Sequence, residues 1–96
     1  MSNYVSVNED NFYDVLDSDK KFAVLFDGVV MQADYSVNSK VFKLSDGYQC
    51  TQKEMFCEVS NGYAYVIDLT DMSAGEIENI FDMDEETFER YYERGL

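Results

Sequence analysis

Residues 68–96, DLTDMSAGEIENIFDMDEETFERYYERGL, are the stretch from which the rest of the chain is best read. Ten of them are acidic: Asp68, Asp71, Glu76, Glu78, Asp82, Asp84, Glu85, Glu86, Glu89 and Glu93. Only Arg90 and Arg94 oppose them, which leaves the segment at −8. It also carries the punctuation of two short helices. Ser73 followed by Glu76 forms a capping box, in which each side chain satisfies a backbone N–H of the other residue. Ile77, Ile80 and Phe81 then recur at helical spacing, so a helix is expected over 74–81. Residues 82–84 interrupt it, and either Asp82 or Asp84 can cap a second helix over 85–94. Met83, Thr87, Phe88 and Tyr91 can face inward from that helix, and Gly95 suits a C-terminal stop.

Working outward, the chain of 96 residues is long enough for one domain with a modest core. Hydrophobic residues make up 46% and aromatics 16%, which is too apolar for a disordered acidic tail. The net charge of −13 must therefore sit on a folded body, where self-repulsion opposes compactness. Such a surface suits a basic partner, although solubility alone would also account for it. Direct nucleic-acid binding is disfavoured, because affinity for a phosphate backbone comes from Lys and Arg. Anionic membranes are disfavoured for the same reason.

The middle of the chain reads as strands. Residues 4–7 suit a short edge strand. Asn8 before Glu9 and Asp10 looks like an N-cap, and Phe12, Val15 and Leu16 suggest a helix over 9–17. Residues 22–26, FAVLF, form an uninterrupted apolar strand of the kind covered on both faces. Asp27-Gly28 is a two-residue hairpin signal, with a return strand over 29–35. Asn38-Ser39 and Asp46-Gly47 turn on either side of a strand at 40–44. Residues 48–59 are ambiguous. Met55, Cys57 and Val59 alternate as in a strand, while Thr51 and Glu54 form a capping box that could open a helix over 52–58. The alternation tips the reading slightly to strand. Asn61-Gly62 then reads as a hairpin turn into a last strand over 63–67. The expected fold is α+β: one domain, with an antiparallel meander of four to five strands at 22–67, an N-terminal helix, and an acidic helical hairpin at 73–95.

The chemistry-bearing residues are sparse. Cys50 and Cys57 fit no metal or redox spacing, and with no His in the chain they read as buried free thiols. The five Gly are isolated, so there is no phosphate loop. Asp68 and Asp71 could divide acid and base roles in principle, but a capping or loop role suits them better. Asp82, Asp84, Glu86 and Glu93 fall at calcium-loop spacings, yet Thr87 stands where that loop needs Gly. No catalytic residue, cofactor or metal is expected. The N-terminus lacks the basic and apolar regions of a secretory leader, and a cytoplasmic protein is expected.

What remains is the acidic array. Glu85, Glu89 and Glu93 stand one above another at i, i+4 and i+8, and Glu78 with Asp82 makes a similar pair. Such neighbours lie ~6 Å apart and repel by a few tenths of a kcal/mol per pair. A duplex strand carries a phosphate every ~3.4 Å of axis. A rigid acidic column can therefore imitate a phosphate track; the plainer alternative is a solvated helix face. The capped helix, three-residue turn and Thr-Phe-x-x-Tyr-Tyr helix over 73–95 resemble the helix-turn-helix DNA-binding motif. The resemblance fails where such motifs present donors to DNA, because those positions here are Glu85, Glu86, Glu89 and Glu93. In length, charge, aromatic content and lack of catalytic residues, the chain resembles the small acidic DNA-mimic inhibitors carried by phages and mobile elements, of the anti-CRISPR and anti-restriction kind. That resemblance implies a non-enzymatic inhibitor in the host cytoplasm, occupying the nucleic-acid groove of a CRISPR effector or restriction enzyme. Its contact residues would be Glu78, Asp82, Asp84, Glu85, Glu86, Glu89 and Glu93, with Tyr92 as an aromatic anchor. The partner would be a basic nucleic-acid-binding protein of the host, and a homodimer is left open. The alternative is a small regulatory subunit docking through the apolar side of the hairpin.

Overall fold

The computed structural model describes residues 4–95. The sheet is built outward from the apolar strand. That strand, β2 (Lys20–Phe26), lies inside a six-stranded antiparallel sheet, and its side chains are buried on both faces. Phe22 and Val24 enter one core cluster, while Ala23 and Leu25 enter another on the opposite side. Asp27 and Gly28 both take positive φ, at 55° and 78°, as a tight hairpin requires. They lead into β3 (Val29–Ser36), followed by β4 (Val41–Leu44) and β5 (Gln49–Thr51).

The fold class is α+β, but the sheet has six strands rather than four to five, and it is not a simple meander. Beyond β5 the chain forms α2 (Gln52–Ser60) and crosses the sheet to β6 (Ala64–Asp68), which pairs with the other side of β2. The short β1 (Val5–Val7) pairs with β6 and completes the order β1-β6-β2-β3-β4-β5.

The slight preference for strand within 48–59 is therefore corrected: only 49–51 are strand, and 52–60 are helix. Thr51 Oγ1 accepts from the N–H of Glu54, and Glu54 Oε1 accepts from the N–H of Thr51 at 2.8 Å. The box wins because Met55 and Val59, four residues apart, can both face the sheet from a helix, while Cys57 turns to solvent. Its exposure also corrects the expectation that both thiols are buried. Asn61-Gly62 is not a hairpin turn but the end of this helix. Gly62 N–H donates to Val59 O and Tyr63 N–H to Glu58 O, the paired bonds of a Schellman cap, with Gly62 at φ 79°.

The helix expected over 9–17 shrinks to one turn, α1 (Phe12–Val15). Asn8 does not cap it. Asn8 Oδ1 accepts from the N–H groups of Asp10 and Asn11, and this Asx turn holds the backbone where the first helical turn would have been. The C-terminal pair matches its expected bounds: α3 (Ala74–Phe81) and α4 (Glu85–Arg94). Gly95 ends α4 in an extended conformation, at φ −71°. Glycine is needed there because a Cβ would collide with Ser6 Oγ, not because φ is positive.

The helices cover opposite faces. The α1–α2 side closes a core around Phe12, Phe22, Phe42, Met55 and Val66. On the other side α3 and α4 bury Ile80 and Phe88 against Ala23, Leu25 and Ile67. Between the layers, Asp68 is nearly buried. Its Oδ1 accepts from the N–H and hydroxyl of Thr70, and its Oδ2 lies 3.5 Å from Lys20 Nζ. Asp68 thus holds the end of β6, and its carboxylate is committed to structure.

Candidate functional site

The position of α4 is set from within. Asp84 caps it, accepting from the N–H of Thr87 at 2.8 Å. Hydrogen bonds from the Thr87 side chain and backbone hold the Asp84 carboxyl below its ordinary pKa. The apolar side of the helix is Phe88, Tyr91 and Tyr92. Tyr4 stacks on Tyr91 with ring centroids 4.1 Å apart, and its hydroxyl donates to Tyr91 O at 2.6 Å. Ser6 Oγ donates to Tyr92 O, and the Tyr92 hydroxyl donates to Val7 O at 2.7 Å. The edge strand β1 therefore clamps the last turns of α4, and the helix cannot roll without breaking these bonds.

This orientation decides where the acids point. With Phe88, Tyr91 and Tyr92 inward, a 100° step per residue turns Glu85 and Glu89 to one flank and carries Glu93 further outward. That flank faces the β2–β3 hairpin. A Cβ on Gly28 would stand 3.3 Å from Glu85 Oε2. Asp27, Glu85 and Glu89 line one open cleft, together with Tyr63, which precedes β6, and Tyr65 within it. The Tyr65 hydroxyl shares this cleft with the Glu89 carboxylate. Burial raises the pKa of that hydroxyl, and its interaction with Glu89 and the charges of Glu93 and Glu85 raise it further.

The remaining expected contact residues lie elsewhere. Glu78 is exposed on α3, and Asp82 is the C-cap of that helix, its backbone N–H donating to Glu78 O. Glu86 pairs with Arg90 one turn along α4, so part of its charge is neutralised. Glu93 is exposed beyond the cleft. Tyr92 is half-buried against Tyr65, with centroids 5.1 Å apart, and its hydroxyl is used within the fold. The exposed tyrosine beside the acids is Tyr63, 69% exposed.

Asp27 and Tyr63 are the site residues that sequence reasoning missed. Asp27 carried a turn signal and Tyr63 a strand signal, and neither local pattern says that the hairpin closes against α4. The shared strand face of Tyr63 and Tyr65 was the one available hint.

Chemically, the cleft offers carboxylate acceptors beside aromatic faces. That combination suits a guanidinium or ammonium group, which gains both charge pairing and cation–π contact. Among the described residues, no three His, Cys, Asp or Glu side chains are grouped to hold a metal. No helix of the described residues is long and apolar enough to cross a membrane. Comparison with protein-family models, curated proteins and solved structures gives no match to this chain.

Proposed function

We propose that the protein is a non-enzymatic inhibitor, encoded by a phage or mobile element, that presents a DNA-like charge surface to the nucleic-acid groove of a basic host defence protein such as a CRISPR effector or restriction enzyme. The supporting observation is the clamped orientation of α4, which fixes the Glu85, Glu89 and Glu93 column in space and sets Asp27 across the cleft from it. A fixed array gives up little conformational freedom on binding, whereas a flexible acidic tail would have to be ordered. The contact set is Asp27, Glu85, Glu89 and Glu93 with Tyr63, flanked by Glu78, Asp82, Asp84 and Glu86.

The rival role, docking through the apolar side of the hairpin, has less surface to use. Ile80 and Phe88 are already buried against the sheet, and Ile77, Phe81 and Met83 are partly buried around them.

The test is capture of binding proteins from a bacterial lysate at low and high salt, followed by competition with a labelled DNA duplex. A captured protein that binds either the duplex or this chain, but never both, is the expected result. Changing Glu85, Glu89 and Glu93 together to Lys should abolish capture while leaving the circular dichroism spectrum native. A ternary complex of target, duplex and inhibitor would refute mimicry for that target.

A further inference from the structure

Three connections gather at one end of the sheet: the Asp27-Gly28 hairpin, residues 45–48 between β4 and β5, and the Asn61–Tyr63 exit from α2. Among the described residues, three of the four large hydrophobic side chains that are more than half exposed lie here: Val29, Tyr48 and Tyr63. Beside Tyr48, on the face opposite the acidic cleft that Tyr63 lines, is a half-open pocket of about 220 Å³ between α2 and the β4–β5 hairpin. Its floor is Phe26, Leu44 and Met55, and Tyr48 stands at its mouth. Glu54 and Glu58, one turn apart on α2, also line it, whereas Lys53, the cation of that helix, does not.

The volume falls below the ~300–1,000 Å³ usual for small-molecule sites. At ~30 Å³ per water-sized group it has room for about seven, the bulk of one large side chain. An apolar floor calls for an apolar occupant. Two carboxylates at the rim call for cations on either side of it, and they disfavour an acidic or anionic visitor. An exposed tyrosine at the mouth of an apolar socket is a common component of a protein-binding hot spot.

We propose that this pocket is a socket for one leucine-sized or aromatic side chain that a basic protein partner presents between lysines or arginines. The inference shares with the proposed function the basic character of the partner, but not the imitation of DNA. It adds an apolar contact that no phosphate backbone could supply, and so a means of selecting one basic protein among many.

The test uses the isotope-labelled chain and three synthetic peptides, followed by nuclear magnetic resonance. One peptide has a leucine between runs of lysine and arginine, the second has alanine in its place, and the third keeps the leucine between glutamates. The basic leucine peptide should shift the amide signals of Tyr48, Met55, Cys57 and Glu58. It should bind about tenfold more tightly than the alanine peptide, the discrimination expected when a leucine side chain is largely buried. Alkylating Cys57, which lines the same pocket, should remove that preference. Cys50 lines the pocket too, but it is buried, and burial with Glu54 and Glu58 pushes its thiol pKa up to about 11, so the exposed Cys57 is the thiol that reacts first. Equal affinity for the leucine and alanine peptides would overturn the proposal, as would equally tight binding of the glutamate peptide or shifts confined to the acidic cleft. The chain with Glu85, Glu89 and Glu93 changed to Lys should keep the leucine preference, so failure of the mimicry reading and failure of the socket give different results.

Discussion

Tyr92 and Glu89 look alike in the sequence, as polar residues on the last helix, yet their side chains have different tasks. Tyr92 joins α4 to β1 through its hydroxyl and its carbonyl, whereas Glu89 keeps its carboxylate at the cleft beside Tyr65. Tyr92→Phe tests the first assignment. It leaves Val7 O without its partner and should cost about 1 kcal/mol, as loss of one neutral hydrogen bond does. In a domain of this size that lowers the thermal midpoint by about 4–8 °C. Affinity for a basic partner should be unchanged. A variant that melts like the parent but loses the partner would restore Tyr92 as an anchor. The sequence could not separate these roles, because the identity of an acid or a tyrosine does not reveal its partner. Asp68 makes the same point: it was one of ten acids in a charged segment, and it proves to be nearly buried beside Lys20 and Thr70.

Elements defined by short-range signals were legible, and those defined by long-range pairing were not. The start of α3 followed from the four residues of one capping box and its end from the apolar spacing that stops at Phe81, and both partners of that box make their bonds. The same signal at Thr51 and Glu54 was outweighed by an alternation of three apolar residues, one of which, Cys57, turned out to be exposed. Gly62 misled for a specific reason: hairpin turns and Schellman caps both need a residue at positive φ, and Asn-Gly satisfies either. The crossing of β6 to the far side of β2 left no mark within β6 itself, since the run AYVID would suit either neighbour. At α4 the cap carries a pH prediction. The carboxyl of Asp84 is held below its ordinary pKa by Thr87, so the bound form is the ionised one. A depressed folded pKa gives stability that is complete above the unfolded value of ~3.9 and is lost as pH falls through the lower folded value. Unfolding followed by circular dichroism should therefore show Asp84 contributing equally at pH 7 and pH 5, and losing its contribution only in acid below the unfolded value. Asp84→Asn keeps an acceptor for the Thr87 N–H and should weaken that part of the acid dependence. An acid transition unchanged by the substitution would mean that the cap does not govern it.

The charge of the whole molecule, −13, acts through both stability and binding, and salt should drive the two in opposite directions. In the described residues the cations do little to relieve it on the acidic side: Lys20 is engaged with Asp17 and Asp68, and Arg90 with Glu86. The column on α4 was legible from sequence because i, i+4 spacing is local. Its meeting with Asp27 was not, because that depends on the clamp from β1. Repulsion within this array and across the molecule is screened as the Debye length shrinks from ~30 Å at 0.01 M salt to ~3 Å at 1 M. The thermal midpoint in sodium chloride should rise over that range by several degrees, since relief of about 1 kcal/mol corresponds to roughly 4–8 °C. Affinity for a basic partner should fall over the same range, chiefly through a slower association rate. Changing Glu85, Glu89 and Glu93 to Lys moves the net charge by six, from −13 to −7. That variant should melt higher than the parent at low salt and respond less to added salt, while failing to bind. These three acids then oppose the fold that displays them, which is the expected signature of residues kept for a partner. If the variant instead melts at the same temperature and with the same salt response, the column is a solvated face that the fold tolerates without strain, and the case for a functional array weakens accordingly.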